Sequence, residues 1–304
     1  MKKYQKILFV IIGIFLIIWL SLFTISHTIY HRSTMATVVE TYFRMIGTKD
    51  KFQYEKDVHD YIKLKENAKE YELPNLKFKS TIDSFKIYNN TIYKFINGNK
   101  KIIIYLHGGA YINDASNYQL KFIDKVASKS NSDVYLPVYP LAPNHTYEET
   151  YLLLENLYNE LLKEDKEIIF IGDSAGGGLA LAFTEYLKEN NIQLPNKLVL
   201  LSPWVDVSME NKDIQKYEKV DPMLSSYGLT QYGRLWAGDT DLKDYRISPI
   251  YGNLKDLPYT LLFVGTREIF YPDVILLNDK LNENNIKSKL IIGTGMNHVY
   301  PVYP

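Results

Sequence analysis

The sequence predicts an α/β protein built on a mostly parallel sheet, with helices covering both of its faces. Three observations carry this. From Lys101 onward, short apolar runs recur between stretches of helical spacing. The runs are continuous and do not alternate with polar residues, which marks strands buried on both sides and therefore parallel. One of them, in IIFIGDSAGGGLALAF (168–183), passes through glycines directly into a small-residue helix pattern.

The chain begins with a basic stretch, MKKYQK, and Ile7 to Ile25 then give 19 residues without a charge. About 20 such residues cross a bilayer core as a helix. A signal peptide has a shorter apolar region and then a small-x-small site, and no such site follows Ile25. An uncleaved transmembrane anchor over 7–25 is the expectation, with a cleaved signal as the alternative. Lys2, Lys3 and Lys6 precede the span, while Arg32 and Arg44 follow at a distance. This bias puts residues 1–6 in the cytoplasm and the remaining chain outside, as a single-pass protein of the cell membrane.

Residues 26–75 read as helices. MATVVETYFRMI (35–46) and EKDVHDYIKLKENAKEYEL (55–73) space their apolar positions by three and four, and Pro74 closes the region. Residues 76–98 alternate apolar and polar around Asn89-Asn90, as a hairpin does. The strand candidates follow: IIIYL (102–106), DVYLPVY (133–139), EIIFIG (167–172), KLVLLS (197–202), YTLLFVG (259–265) and SKLIIG (288–293). YEETYLLLENLYNELLKE (147–164) and VILLNDKLNENN (274–285) are covering helices. Residues 207–247 break the rhythm and read as an inserted, mostly helical excursion. An excursion after a strand's C-terminal end lies beside the usual site of an α/β sheet.

Composition excludes several functions. The chain has 304 residues, enough for one large α/β domain. Its 35 acidic and 35 basic residues cancel, and no Lys/Arg run suggests a nucleic-acid partner. There are no cysteines, which excludes disulfides, thiol catalysis and Cys-ligated metals.

In Gly172-Asp173-Ser174-Ala175-Gly176 the strand must turn sharply into a helix. Gly172 and Gly176 relieve crowding, and Ser174 is held above the sheet at a helix N-terminus that favours a developing anion. The alternative is a phosphate-binding turn, but neither G-x-G-x-x-G nor GK[ST] is present. A serine nucleophile needs a base. Of six histidines, His298 alone follows a late strand, in GTGMNHVY; His27, His31, His59, His107 and His145 lie elsewhere. The acid that orients the base is expected between them. Glu268 is the first carboxylate after YTLLFVG, and Asp273, a turn later, is the alternative. Acyl transfer also needs oxyanion donors. His107-Gly108-Gly109-Ala110 ends a strand, so the amides of Gly108 and Gly109, with that of Ala175, are the candidates.

Together these motifs resemble the hormone-sensitive-lipase-like branch of the α/β-hydrolases, which includes bacterial esterases and arylacetamide deacetylase. The resemblance covers residues 80–304. HGGAY is similar to the branch's HGGG-type oxyanion motif, VYPLAPNHTYEE to its Y-R-L-A-P-E-H loop, and GDSAGGGLA to its elbow. SPWVDVS, DPMLS and SPIYGNLKDLP also read like its segments. Three departures stand out: Ala110 replaces a glycine, Glu268 stands where most members carry Asp, and Leu141 stands where Arg-Leu is usual. The resemblance implies an eight-stranded α/β-hydrolase fold over 76–304, with a helical cap drawn from 26–75 and from the insertion at about 207–247. It implies a serine carboxylesterase with the triad Ser174, Glu268 and His298, needing no metal or organic cofactor, and a structural role for His107. It also implies small ester substrates with short acyl chains, acetyl to butyryl. Tyr217, Tyr227, Tyr232 and Trp236 are candidates to narrow the pocket, or else plain core. The alternatives are de-O-acetylation or acyl transfer on a cell-surface polymer, peptide cleavage, and a membrane-anchored binding module on an inactive scaffold.

Overall fold

The structure, a computed structural model, describes residues 3–98 and 101–303. Lys2, one of the charges used to orient the span, lies outside the described residues, as does the side chain of Lys3. The strands are β1 (Thr81–Ile87), β2 (Asn90–Ile96), β3 (Lys101–Leu106), β4 (Asp133–Pro137), β5 (Glu167–Asp173), β6 (Lys197–Leu201), β7 (Tyr259–Gly265) and β8 (Ser288–Gly293). They form one sheet in the order β1-β2-β4-β3-β5-β6-β7-β8. β1 and β2 pair antiparallel, as do β2 and β4; the other pairs are parallel.

The apolar runs are continuous because the sheet is covered twice. Ile102, Ile104 and Leu106 face one side with Phe170, Leu198, Leu200 and Leu262. The helices α6 (Tyr147–Leu162), α7 (Ala175–Glu189) and α10 (Tyr271–Glu283) cover that side. Ile103 and Tyr105 face the other with Val134 and Leu136, under α5 (Asn117–Ser130). Successive strand residues point to opposite faces, so every position in β3 beyond Lys101 is buried. Each such Ile or Leu contributes roughly 1.5–3 kcal/mol relative to exposure. Register then sets the site. Leu106 of β3 is level with Gly172 of β5, Asp173 with Leu201 of β6, and Gly265 of β7 with Gly293 of β8. Loops leaving these ends are neighbours.

Several boundaries differ from expectation. The hairpin turn is Tyr88-Asn89, since Ile87 pairs with Asn90, and Tyr88 takes φ +51. The helix expected over 55–73 stops early, as α4 (Glu55–Glu66), after a short α3 (Asp50–Gln53). Tyr71 and Leu73 alternate with Glu70 and Glu72, a period of two, and pack against the core cluster on that face of the sheet. There Tyr71 donates to Ala115 O at 3.1 Å, and the Leu73 N–H donates to Tyr93 Oη at 3.3 Å. The excursion over 207–247 holds only two helices, α8 (Ile214–Glu218) and α9 (Ser226–Ala237), joined by turns.

At the N-terminus, α1 (Lys3–Thr24) continues as a π-helix through Ile29 and is followed by α2 (Thr34–Met45). The helical run Tyr4–Ile29 is long and apolar enough to cross a membrane or to act as a signal sequence. α3 and α4 pack on α9. The Phe52 and Tyr232 rings meet edge to face at 5.4 Å, and a Cβ on Gly228 would lie 2.5 Å from Phe52 Cα.

Candidate active site

Ser174 stands between β5 and α7 at φ +53, ψ −123, a conformation L-residues rarely take. The surrounding contacts enforce it. Its N–H donates to Leu201 O and its carbonyl accepts from Trp204, both at 2.9 Å. There is no room beside the bend: a Cβ on Gly172 would lie 2.2 Å from Gly176 O, and one on Gly176 would lie 2.0 Å from Leu106 O.

The loops after β7 and β8 bring two more predicted residues to this serine. His298 Nε2 lies 2.9 Å from Ser174 Oγ, and its Nδ1 lies 2.6 Å from Glu268 Oε2. A carboxylate only accepts, so Nδ1 donates and Nε2 is left to take the serine proton. Glu268 Oε1 accepts from Ser202 Oγ at 2.7 Å and from the Gly265 N–H at 2.5 Å. Ser202 Oγ in turn accepts from the Val299 N–H at 3.0 Å, so one hydroxyl ties the acid loop to the histidine loop. Burial opposes an imidazolium at His298. The Glu268 charge and hydrogen bond, with Asp221 and Asp173 beyond, outweigh it and hold the pKa above the ordinary value. Asp273, the alternative acid, is turned elsewhere. It accepts from Asn211 at 2.6 Å, and burial pushes its pKa up to about 7.

The predicted oxyanion residues divide. The Gly108 N–H is not available, because it donates to Asp173 Oδ1 at 3.0 Å. That carboxylate also accepts from Tyr105 and, at 2.9 Å, from Gln119. Buried Asp173 thus pins the loop after β3 to the elbow, and a Cβ on Gly108 would lie 2.4 Å from it. Beyond the pin the loop reverses through three positive φ angles: Gly109 at +141, Ala110 at +56 and Tyr111 at +60. Among the described residues, no hydrogen bond uses the amides of Gly109, Ala110 or Ala175. His107 is buried, stacked on Tyr139 at 4.3 Å, with Nδ1 2.9 Å from Gly108 O. Burial lowers its pKa.

Ser174, His298, Gly108, Gly109 and Ala110 line a cavity of about 200 Å³. Met223, Leu224, Thr48, Lys51, Phe52, Val302 and Tyr303 supply part of its wall. Of the four aromatics read either as narrowing the pocket or as plain core, none lines the cavity. Tyr232 and Trp236 are fully buried core, and Trp236 stacks on Tyr111 at 4.3 Å. Tyr217 packs on Tyr271, and Tyr227 faces a separate groove beside His59. Sequence reasoning missed the contribution of Ser202, and also that of Asp221. Asp221 is fully buried and accepts from the amides of Met223, Leu224 and Ile269, joining the cavity wall to the acid loop. Burial pushes its pKa up to about 6. Its only signal in the sequence was an Asp before a Pro in DPMLS. No cluster of three His, Asp or Glu among the described residues could hold a metal ion.

An esterase of Acinetobacter venetianus is 32% identical over 203 residues, covering 64% of this chain and 66% of that protein. The candidate acetyl-hydrolase LipR of Mycobacterium tuberculosis is 31% identical over 159 residues, 51% of each chain. The chain thus matches between half and two thirds of the length of these relatives. The crystal structure of a candidate esterase from Staphylococcus aureus superposes with a TM-score of 0.81 at 30% identity, covering 84% of this chain and 90% of that one. A family model for the alpha/beta hydrolase fold matches residues 103–302, and the chain belongs to that family.

Proposed function

We propose that this protein is a membrane-anchored serine carboxylesterase acting on short-acyl esters, acetyl to butyryl. The observation that carries the reading is the relay from Ser174 Oγ to His298 Nε2 at 2.9 Å and from Nδ1 to Glu268 at 2.6 Å. His298 takes the serine proton as Oγ attacks the ester carbonyl. Glu268 fixes the tautomer and stabilises the imidazolium. The tetrahedral oxyanion accepts from the amides of Gly109, Ala110 and Ala175, each worth about 3 kcal/mol of barrier. The imidazolium then protonates the leaving alcohol, and an acyl-serine forms. Water, deprotonated by His298, attacks it and releases the acid and free Ser174.

The cavity of about 200 Å³ is smaller than the ~300 Å³ at the lower end of sites for drug-sized ligands, which favours small acyl groups. The relatives named as an esterase and a candidate acetyl-hydrolase point the same way. The segment after the span and the excursion over 207–247 form the cap, the first through Thr48, Lys51 and Phe52 and the second through Met223 and Leu224, all of which line the cavity. The apolar helix serves as an uncleaved anchor, with the catalytic domain outside the cell.

The test is kcat/KM along a series of aryl esters, with fluorophosphonate labelling in parallel. A fall from acetate or butyrate toward longer chains is expected, and Ser174→Ala should lose all labelling. Best turnover on dodecanoate would overturn the acyl assignment. Labelling that survives Ser174→Ala would overturn the nucleophile.

A further inference from the structure

Helix α2 has two faces in contrasting surroundings. Thr34, Thr37, Glu40 and Phe43 point inward and are buried. Glu40 accepts two hydrogen bonds from Arg267, at 2.9 and 2.8 Å, and one from Arg32 at 2.6 Å. Arg32 also donates to Gly295 O at 2.8 Å. Arg267 adjoins Glu268, and Gly295 lies on the loop that carries His298, so α2 is fastened to both. The outward face is apolar. Met35 is 48% exposed, Tyr42 50%, Met45 82% and Ile46 56%. With Val38 they fall within an arc of about 100° on a helical wheel. A helix facing water would turn polar residues outward along that arc.

The position of α2 says what covers this face. Ser26 is the first residue after the apolar run Ile7–Ile25. It is fully buried, and its Oγ donates to Thr37 Oγ1 at 2.7 Å. The Arg32 N–H donates back to Ser26 O at 3.0 Å. The helix therefore rests against the end of the apolar run and is not carried away from it on a linker. If Ile7–Ile25 fills the hydrocarbon core, Thr37 is held at the bilayer boundary.

We propose that α2 is an interfacial helix whose outward face, Met35, Tyr42, Met45 and Ile46, sits in the headgroup and upper acyl region of the bilayer that holds the anchor. The catalytic loops on its inner side are thereby seated against the membrane. This rests on the anchor reading above.

The chain has no cysteine, so single cysteines can carry a polarity-sensitive NBD dye in the full-length protein. Tyr42→Cys and Met45→Cys would be labelled and reconstituted into phosphatidylcholine vesicles with and without brominated acyl chains. Ile14→Cys, in the span, and Lys163→Cys, on an exposed end of α6, are the references. Both α2 probes should emit to the blue of the Lys163→Cys probe and lose most of their emission to brominated lipid, as the Ile14→Cys probe does. If the Ile14→Cys probe is quenched while the α2 probes match the Lys163→Cys probe, the proposal is overturned and the anchor stands. If the α2 probes are shielded from water but untouched by bromine, a second copy of the chain covers the face, which also overturns it. If the Ile14→Cys probe is not quenched, the anchor reading falls and this one with it. Ester hydrolysis on the same samples reports separately on the active site.

Discussion

Glu268 has no exposed surface and spends both oxygens: Oε1 on Ser202 and Gly265, Oε2 on His298. An amide cannot reproduce this. In Glu268→Gln, either the histidine or the Gly265 N–H would meet a second donor. The expected result is a fall in kcat of roughly 10³–10⁴-fold, the scale seen when a triad carboxylate becomes an amide. The pH profile carries a sharper sign. In the proposed mechanism the base works neutral, so kcat/KM should rise as His298 loses its proton. Its folded pKa is raised from the ordinary 6.5, against burial, chiefly by Glu268. The acid limb should therefore lie above that value in the native enzyme and move to lower pH in Glu268→Gln, where burial persists and the charge is gone. A limb that stays in place in the variant would show that Glu268 does not set the base.

The site is made where the ends of β3, β5, β6, β7 and β8 coincide, and the elements differ in how far their sequence revealed this. The strands from Lys101 on could be read directly, because burial on both faces leaves a continuous apolar signature. Ser174, His298 and Glu268 could be placed because each follows such a run. Which amide of the Gly108-Gly109-Ala110 loop remains open could not be read. It depends on Asp173, 65 residues later, taking the Gly108 N–H, and local sequence holds no trace of that bond. The early end of α4 at Glu66 had the same cause, since Tyr71 and Leu73 answer to a sheet face formed by distant strands. Gly176 is the element-scale test. An added Cβ would lie 2.0 Å from Leu106 O and 2.5 Å from His107 O, both backbone. α7 would have to lift off the end of β3, where the Gly108-Gly109-Ala110 loop begins. Gly176→Ala should cost about 3 kcal/mol in chemical denaturation, the upper part of the overpacking range. The fraction that remains folded should lose activity. A variant of native stability and rate would mean that this approach is looser than the structure has it.

At the scale of the whole molecule, the N-terminal segment is tied to the loops that carry Glu268 and His298. Its helices could be read from their spacing, but the ionic contacts to the Glu268 and His298 loops could not. Arg32, Glu40 and Arg267 are separated by up to 235 residues and carry no shared pattern. Arg267, next to Glu268 in sequence, could as well have paired with it; it pairs instead with Glu40. Burial alone would raise the Glu40 pKa, but hydrogen bonds and charge from Arg267 and Arg32 drive it down to about 2. A carboxyl depressed on folding stabilises the protein above its unfolded pKa, near 4.5, and this contribution disappears as pH falls through the folded value. Glu40→Gln leaves the Arg32 side chain, 1% exposed, without its counter-charge. The variant should be less stable at pH 7 by about 3 kcal/mol, the loss typical of breaking a buried pair from one side. Below about pH 4.5 the unfolded chain takes up the Glu40 proton while the folded carboxyl stays an anion, and only near pH 2 does the folded wild type protonate and come to resemble the variant. The stability gap, measured by denaturant titration of the full chain in detergent, should narrow from about pH 4.5 toward pH 2. A gap that stays constant over that range would mean that the arginines do not hold Glu40 as an anion.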